Sequence, residues 1–175
     1  MSDEIILFFN VAFVAVGTLC LLLGLVVGSF LNVCIWRLPR EESIIRPGSH
    51  CPGCDAPLGV RDLVPVLSWV FLRGKCRYCG AKISPRYPAV ELLTGVLFVW
   101  CFLRFGLSPQ LAPALVFSAF MVAITFIDLD HQIILDGMLA LLAAAGLGQG
   151  LWLGQPGWVD MLIGSGVGGG LLLVL

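Results

Sequence analysis

Apolar residues run through this chain in long blocks, broken by one extended polar stretch and several short ones. Residues 5–27 carry only Asn10 and Thr18 as polar side chains, enough to span a bilayer, which takes about 20 apolar residues. The block runs on through Gly28-Ser29-Phe30-Leu31-Asn32-Val33 and is expected to reach the membrane surface near Trp36 and Arg37. Residues 38–87 read as a polar insert. Pro88 restarts a helix with Glu91 in its first turn, since proline suits the first helical position and an acid there favours the dipole. A second span is expected over residues 89–103, ending at Arg104. Gly106, Pro109 and Pro113 mark a turn, and a third span runs to Ile127. Asp128-Leu129-Asp130-His131 interrupts the pattern. A fourth span covers residues 137–153, and a fifth begins at Val159 after Gln155-Pro156-Gly157. The predicted fold is an all-α integral membrane protein of about five transmembrane helices with a small polar loop module between the first two. Its three parts are residues 1–37, 38–87 and 88–175.

Composition agrees: 59% of the 175 residues are hydrophobic and 12% charged, against about 25% charged in soluble chains. A cleavable signal peptide is not expected, because the start is acidic (Asp3, Glu4) and the apolar run outlasts an ordinary signal core. The net charge of -1 conceals an asymmetry, for nine of the ten Lys/Arg lie between Arg37 and Arg86. Cytoplasmic loops are the basic ones, so the insert is expected on the cytoplasmic side. Counting spans, the Asp128–Asp136 segment returns to that side. No nucleic-acid partner is expected.

The insert contains Cys51/Cys54 and Cys76/Cys79, two CxxC pairs separated by 21 residues. Each pair forms a knuckle offering two thiolates, and two knuckles close a tetrahedral site of the structural zinc type. A reducing compartment favours metal over disulfide. A four-thiolate shell leaves no position for water, so zinc is expected to support the fold. His50 then reads as a loop residue, and Cys20, Cys34 and Cys101 as small buried hydrophobes.

Asp128, Asp130 and Asp136 are the only acids between Glu91 and Asp160. An ionised Asp at a bilayer centre costs about 2.5–3.5 kcal/mol on insertion scales, which leaves a functional site or a solvated turn at the interface as two open readings. Asp136 is placed to cap the fourth span. The glycine-rich run Gly164–Gly170 contains GxxxG pairs suited to close helix packing. It lies in an apolar span and lacks the Lys of a phosphate loop.

Taken together, these segments resemble the bacterial prepilin peptidases, the leader peptidase and N-methyltransferase of type IV pilus and type II secretion systems. Gly28–Val33 with Arg37-Leu38-Pro39, both CxxC pairs, Val64–Trp69, Ser84–Leu92 and Asp128–Ile134 carry the resemblance. It implies an intramembrane aspartic peptidase of the bacterial inner membrane, with Asp128 as the first catalytic aspartate. It also implies prepilin or pseudopilin substrates with basic leaders, and S-adenosylmethionine as methyl donor, for which no residue is assigned. The family's second aspartate lies in a GxGD motif beyond the fifth helix. No GxGD occurs in residues 1–175, and Leu135 stands where the family usually has proline. Three readings therefore stand at this stage. They are a peptidase whose C-terminal part continues past residue 175, a half-enzyme completed by a partner or oligomer, and a non-catalytic zinc-bearing membrane module.

Overall fold

The computed structural model describes residues 3–133, 135–154, 157, 159–160, 162–164 and 166–167. The described chain forms two compact units, residues 1–135 and 136–175. In the first, α1 (Asp3–Arg37) packs against α3 (Arg86–Phe105) and α4 (Leu111–His131), which also pack on each other. Between α1 and α3 lies the insert, which carries 3-10 turns at Leu38–Arg40 and Val60–Asp62 and the five-residue α2 (Leu67–Phe71). The second unit contributes α5 (Asp136–Leu153), with Asp136 in its first turn.

Four helices among the described residues are long and apolar enough to cross a membrane: α1 from Asn10, α3, α4 and α5. The protein is a multi-pass membrane protein. The expected fifth span and its GxxxG pairs fall largely outside the described residues. Two boundaries differ from the sequence reading. α3 begins two residues before Pro88, at Arg86, because the first turn needs no intrahelical N–H and so tolerates proline beyond its first position. α4 runs through the acidic segment to His131. It stops where Gln132 takes the left-handed conformation (φ 52°) and donates its N–H to the Asp128 carbonyl, a cap usually supplied by glycine.

Small residues set the α1–α3 distance. A Cβ added at Gly24 would lie 2.6 Å from the Gly95 Cα, and one at Gly28 would lie 2.7 Å from the Glu91 Cα. Both contacts are with backbone, which cannot step aside. Gly24 and Gly28 form a GxxxG pair, the spacing that lets helix backbones approach in lipid. Val90 and Thr94 are fully buried beside this seam, and the Thr94 hydroxyl donates to the Val90 carbonyl at 2.8 Å. Farther along the pair, the rings of Phe13 and Phe102 meet at a tilt of 39° with their centroids 5.0 Å apart.

Candidate metal centre and acidic helix end

The insert folds back on itself through short polar ties. At its start, Arg37 is buried and donates to the Ser43 carbonyl (2.9 Å) and the Gly48 carbonyl (3.3 Å), which shapes the approach to Cys51. Each CxxC then makes a tight turn. The Asp55 N–H bonds to the Cys51 carbonyl and the Gly80 N–H to the Cys76 carbonyl. Gly80 has φ 72°, a conformation that glycine adopts without steric cost. Isolated bridges, His50 with Pro57 and Lys75 with Lys82, close the two knuckles.

The knuckles meet. One donor atom from each of Cys51, Cys54, Cys76 and Cys79 lies within 4.8 Å of all the others. The Cys51 and Cys79 sulfurs are 3.8 Å apart. That is far beyond a disulfide and matches the edge of a tetrahedron with metal–sulfur bonds of about 2.3 Å. Backbone N–H groups of Gly53 and Tyr78 point at the Cys51 and Cys76 sulfurs, each at 3.4 Å, an environment that favours thiolate. Accordingly, the Cys76 thiol is pulled down to about 7, chiefly by the backbone amides of Cys79 and Tyr78. At Cys54 the Ala56 amide favours thiolate, but the surrounding Cys79 and Cys51 thiols and desolvation outweigh it and push the value up to about 12. Four sulfurs this close cannot all carry charge unless a cation sits among them. The donor set fits a metal ion, and the four sequence-predicted ligands are all brought together. His50 is exposed and turned to the Gly48 carbonyl at 3.2 Å.

Asp62 braces the second knuckle. Its carboxylate accepts from Arg77 Nε (2.7 Å), from the Tyr78 hydroxyl (3.3 Å) and from the Gly59 N–H (3.1 Å). The Arg77 hydrogen bond is the main reason its pKa falls below the ordinary carboxylate range. The same carboxylate raises the Tyr78 phenol by its charge.

A second tie joins insert to bundle. Val66 sits at φ 61°, ψ -50°, and the Leu67 N–H reaches back to the Pro65 carbonyl at 2.6 Å. This is a γ-turn of the rare positive-φ kind, strained for a β-branched residue. The Val66 N–H is held by Oε2 of Glu91 at 2.6 Å, and Glu91 is buried on α3. Ser29 on α1 also hydrogen-bonds Glu91, and Asn32 Nδ2 donates to the Tyr87 carbonyl at 3.0 Å. Glu91 thus fastens the insert to both helices, a role beyond its helix-dipole reading. The signals were present as an acid five residues inside a span and a Pro-Val pair in the insert, but nothing in the sequence pairs them.

At the end of α4 two acids diverge. Asp130 is clamped by Arg86, with Nη1 at 2.5 and 2.6 Å from its two oxygens, while Nη2 of Arg86 reaches the Phe126 carbonyl at 3.3 Å. Asp128 is exposed, and its carboxylate forms no ion pair among the described residues. The Arg86 clamp sets the end of α4 beside the start of α3, where the insert re-enters the bundle. Knuckles and acidic segment therefore join the bundle at one end.

Comparison with known proteins decides the family. Residues 22–105 match the family described as Bacterial Peptidase A24 N-terminal domain. A prepilin leader peptidase/N-methyltransferase of Myxococcus xanthus is 49% identical over 146 residues, which is 83% of this chain and 44% of that protein. The chain belongs to the bacterial prepilin peptidase family. A type 4 prepilin-like proteins leader peptide-processing enzyme of Escherichia coli is 43% identical over 127 residues, covering 62% of this chain and 47% of the relative. A prepilin leader peptidase/N-methyltransferase of Bacillus subtilis is 40% identical over 149 residues, covering 83% and 58%. The chain spans about half the length of the curated relatives it matches. No solved structure matches it.

Proposed function

We propose that this chain works as a prepilin leader peptidase of the bacterial inner membrane. It would cleave basic cytoplasmic leaders from prepilins or pseudopilins at the membrane surface, with the insert and the end of α4 on the cytoplasmic side. Nine of the ten basic residues flank or occupy the insert, which supports that orientation. Asp128 is one carboxylate of an acid–base pair that activates water and protonates the leaving amine. Two close carboxyls divide these roles because like charges split their pKa values. No GxGD, the motif of the family's second aspartate, occurs in residues 1–175, and no residue among them is assigned as the second carboxylate.

The observation that carries this reading is the contrast at the end of α4. Asp130 is committed to Arg86, whereas Asp128 is exposed and unpaired among the described residues. Zinc would be held by Cys51, Cys54, Cys76 and Cys79. When bound, it supplies charge compensation and a fixed crossing of the knuckles, with no open coordination position. Methylation of the new amino terminus belongs to the same proposal: the relatives' names carry an N-methyltransferase activity, and S-adenosylmethionine as the donor is implied by the family resemblance alone.

The test uses the full-length protein and a prepilin-type substrate in vesicles. Asp128→Asn should lower cleavage by at least about 10²–10⁴-fold, the usual share of a general acid or base, with metal content unchanged. Asp130→Asn should keep cleavage and lose stability instead. Wild-type cleavage by Asp128→Asn would sink the assignment. No cleavage by the unsubstituted protein, even with the C-terminal half of a relative supplied, would favour a non-catalytic module.

A further inference from the structure

α2 presents its apolar face outward. Leu67, Val70 and Phe71, at i, i+3 and i+4, are 54%, 56% and 81% exposed, and this spacing puts them on one side of a helix. The other side is the fixed one. Trp69 lies against Gly74, where an added Cβ would be 2.9 Å from the indole, and its Nε1 donates to the Ile83 carbonyl at 3.1 Å. An outward face of this kind in water would be a liability.

The height of α2 along the bundle removes that liability. The residue just before α2, Val66, is bonded to Glu91. Glu91 stands five residues into α3, about 7.5 Å along the helix from Arg86 at the usual rise. All twenty residues of α3 form a candidate membrane span. The start of α2 is therefore level with the first turns of a spanning helix, at the membrane interface. Leu92, Leu93 and Val96, exposed on the same stretch of α3, continue the apolar surface that lipid must cover.

Charge on the adjoining groove fits the same occupant. An open groove of about 420 Å³ beside α2 is lined by Trp69, Arg73, Lys75, Lys82 and Ile83. Lys75 and Lys82 are opposed in an antiparallel bridge, an arrangement that is unfavourable for like charges. Among the described residues, none of the three basic side chains forms an ion pair. An anion in the groove offsets the repulsion, and phosphate groups of anionic lipids lie at this depth.

We propose that α2 is an interfacial anchor, in which Leu67, Val70 and Phe71 insert into the leaflet beside α3 and Arg73, Lys75 and Lys82 hold the phosphates of anionic phospholipids. The bilayer is favoured over the peptide substrate because a basic leader would be repelled by these three cations. The proposal concerns how the insert meets the membrane and stands apart from the peptidase reading.

The test places p-benzoylphenylalanine at position 71 of the full-length protein. That protein is reconstituted in vesicles of phosphatidylcholine alone, or of phosphatidylcholine with a minority of phosphatidylglycerol, and irradiated in the presence of prepilin. Mass spectrometry should find phospholipid adducts in both. In the mixed vesicles, phosphatidylglycerol should exceed its bulk share by about fivefold, of the order one basic side chain supplies at an anionic surface. Arg73→Gln/Lys75→Gln/Lys82→Gln should return the adducts to the bulk ratio without abolishing them. A prepilin adduct, or none, would overturn the anchor. Enrichment that survives the triple substitution would overturn the phosphate site. Position 71 is exposed, so the label itself should not disturb folding, and retained metal content checks this.

Discussion

From residue 38 to residue 85 only Cys51, Gly74 and Cys76 are buried, whereas the twenty residues of α3 bury seven, among them Gly95, Phe98 and Phe102. Both regions hold backbones close together, by different means. The α1–α3 seam does so by omission, with glycines wherever a side chain would collide. The insert cannot, because it has no apolar interior. Two of its three buried residues are thiols of the four-cysteine cluster, and much of its remaining order comes from single ties such as Arg37 at its start, Asp62 across the second knuckle, Trp69 to Ile83 and Glu91 to the bundle. A module this small without a core depends on a staple.

Removing the staple should have the largest effect. Structural zinc sites in small peptides contribute about 10–16 kcal/mol of apparent binding energy that is also folding energy. Cys51→Ser should abolish stoichiometric metal and open the insert to limited proteolysis, while the spanning helices stay protected. Metal content and proteolytic fragments measured together test this. Loss of the whole protein to proteolysis would mean that the two regions are not separable.

Next in size is the glycine seam. Gly24→Leu forces a side chain into the Gly95 backbone and should destabilise the protein by about 1–3 kcal/mol or more, the usual range for overpacking. Gly17→Ala is the control, since its Cβ would meet the Phe102 ring at 3.7 Å, an ordinary contact. Unfolding in mixed detergent micelles should separate the two variants and leave metal content untouched in both. Loss of metal in Gly24→Leu would show that the insert borrows its order from the seam.

The tie between the regions comes third. Glu91→Leu leaves the Val66 N–H without its acceptor, at about 1–3 kcal/mol for a buried unsatisfied group. Val66→Gly relieves the positive φ and should stabilise by about 1 kcal/mol, at the low end of what such strain costs. Opposite shifts in the same unfolding assay are expected. Shifts of the same sign would mean that Val66 contributes through packing and not through its backbone.

These two regions were not equally legible from sequence. The clustering of Cys51, Cys54, Cys76 and Cys79 was legible in the sequence, because metal chemistry fixes both residue type and spacing and two CxxC pairs have few other uses. The spans were legible from length and apolarity, and α3, α4 and α5 fall within four residues of their expected ends. The glycine seam was not read, although Gly24 and Gly28 carry the same GxxxG spacing noted at Gly164–Gly170. A glycine in an apolar run shows that close approach is allowed and says nothing about which partner arrives. The Arg86–Asp130 and Glu91–Val66 ties were hidden for the same reason, since each joins residues far apart in the chain whose pairing only the helix packing decides. The family resemblance had already singled out Asp128 over Asp130, but that Arg86 engages Asp130 and leaves Asp128 exposed came from the structure.

The smallest expected effect belongs to the brace at Asp62, and its pH dependence carries a sign. Arg77 holds the Asp62 carboxyl below its ordinary range, so the folded insert favours the charged form. The brace is then fully present above the unfolded-state carboxylate pKa and disappears as pH falls through the lowered folded-state value. Arg77 is half-exposed, and solvent screening keeps the contribution of such a pair small. Asp62→Asn removes the charge at every pH. The variant should therefore lose protease resistance across the insert at neutral pH, and its difference from the unsubstituted protein should shrink on acidification. A difference that stays constant into acid would mean that Asp62 acts through the neutral contacts it makes with Tyr78 and Gly59. In that case the second knuckle would be held by hydrogen bonds and metal alone, and the insert would depend on its thiolates still more heavily than the glycine seam depends on its missing side chains.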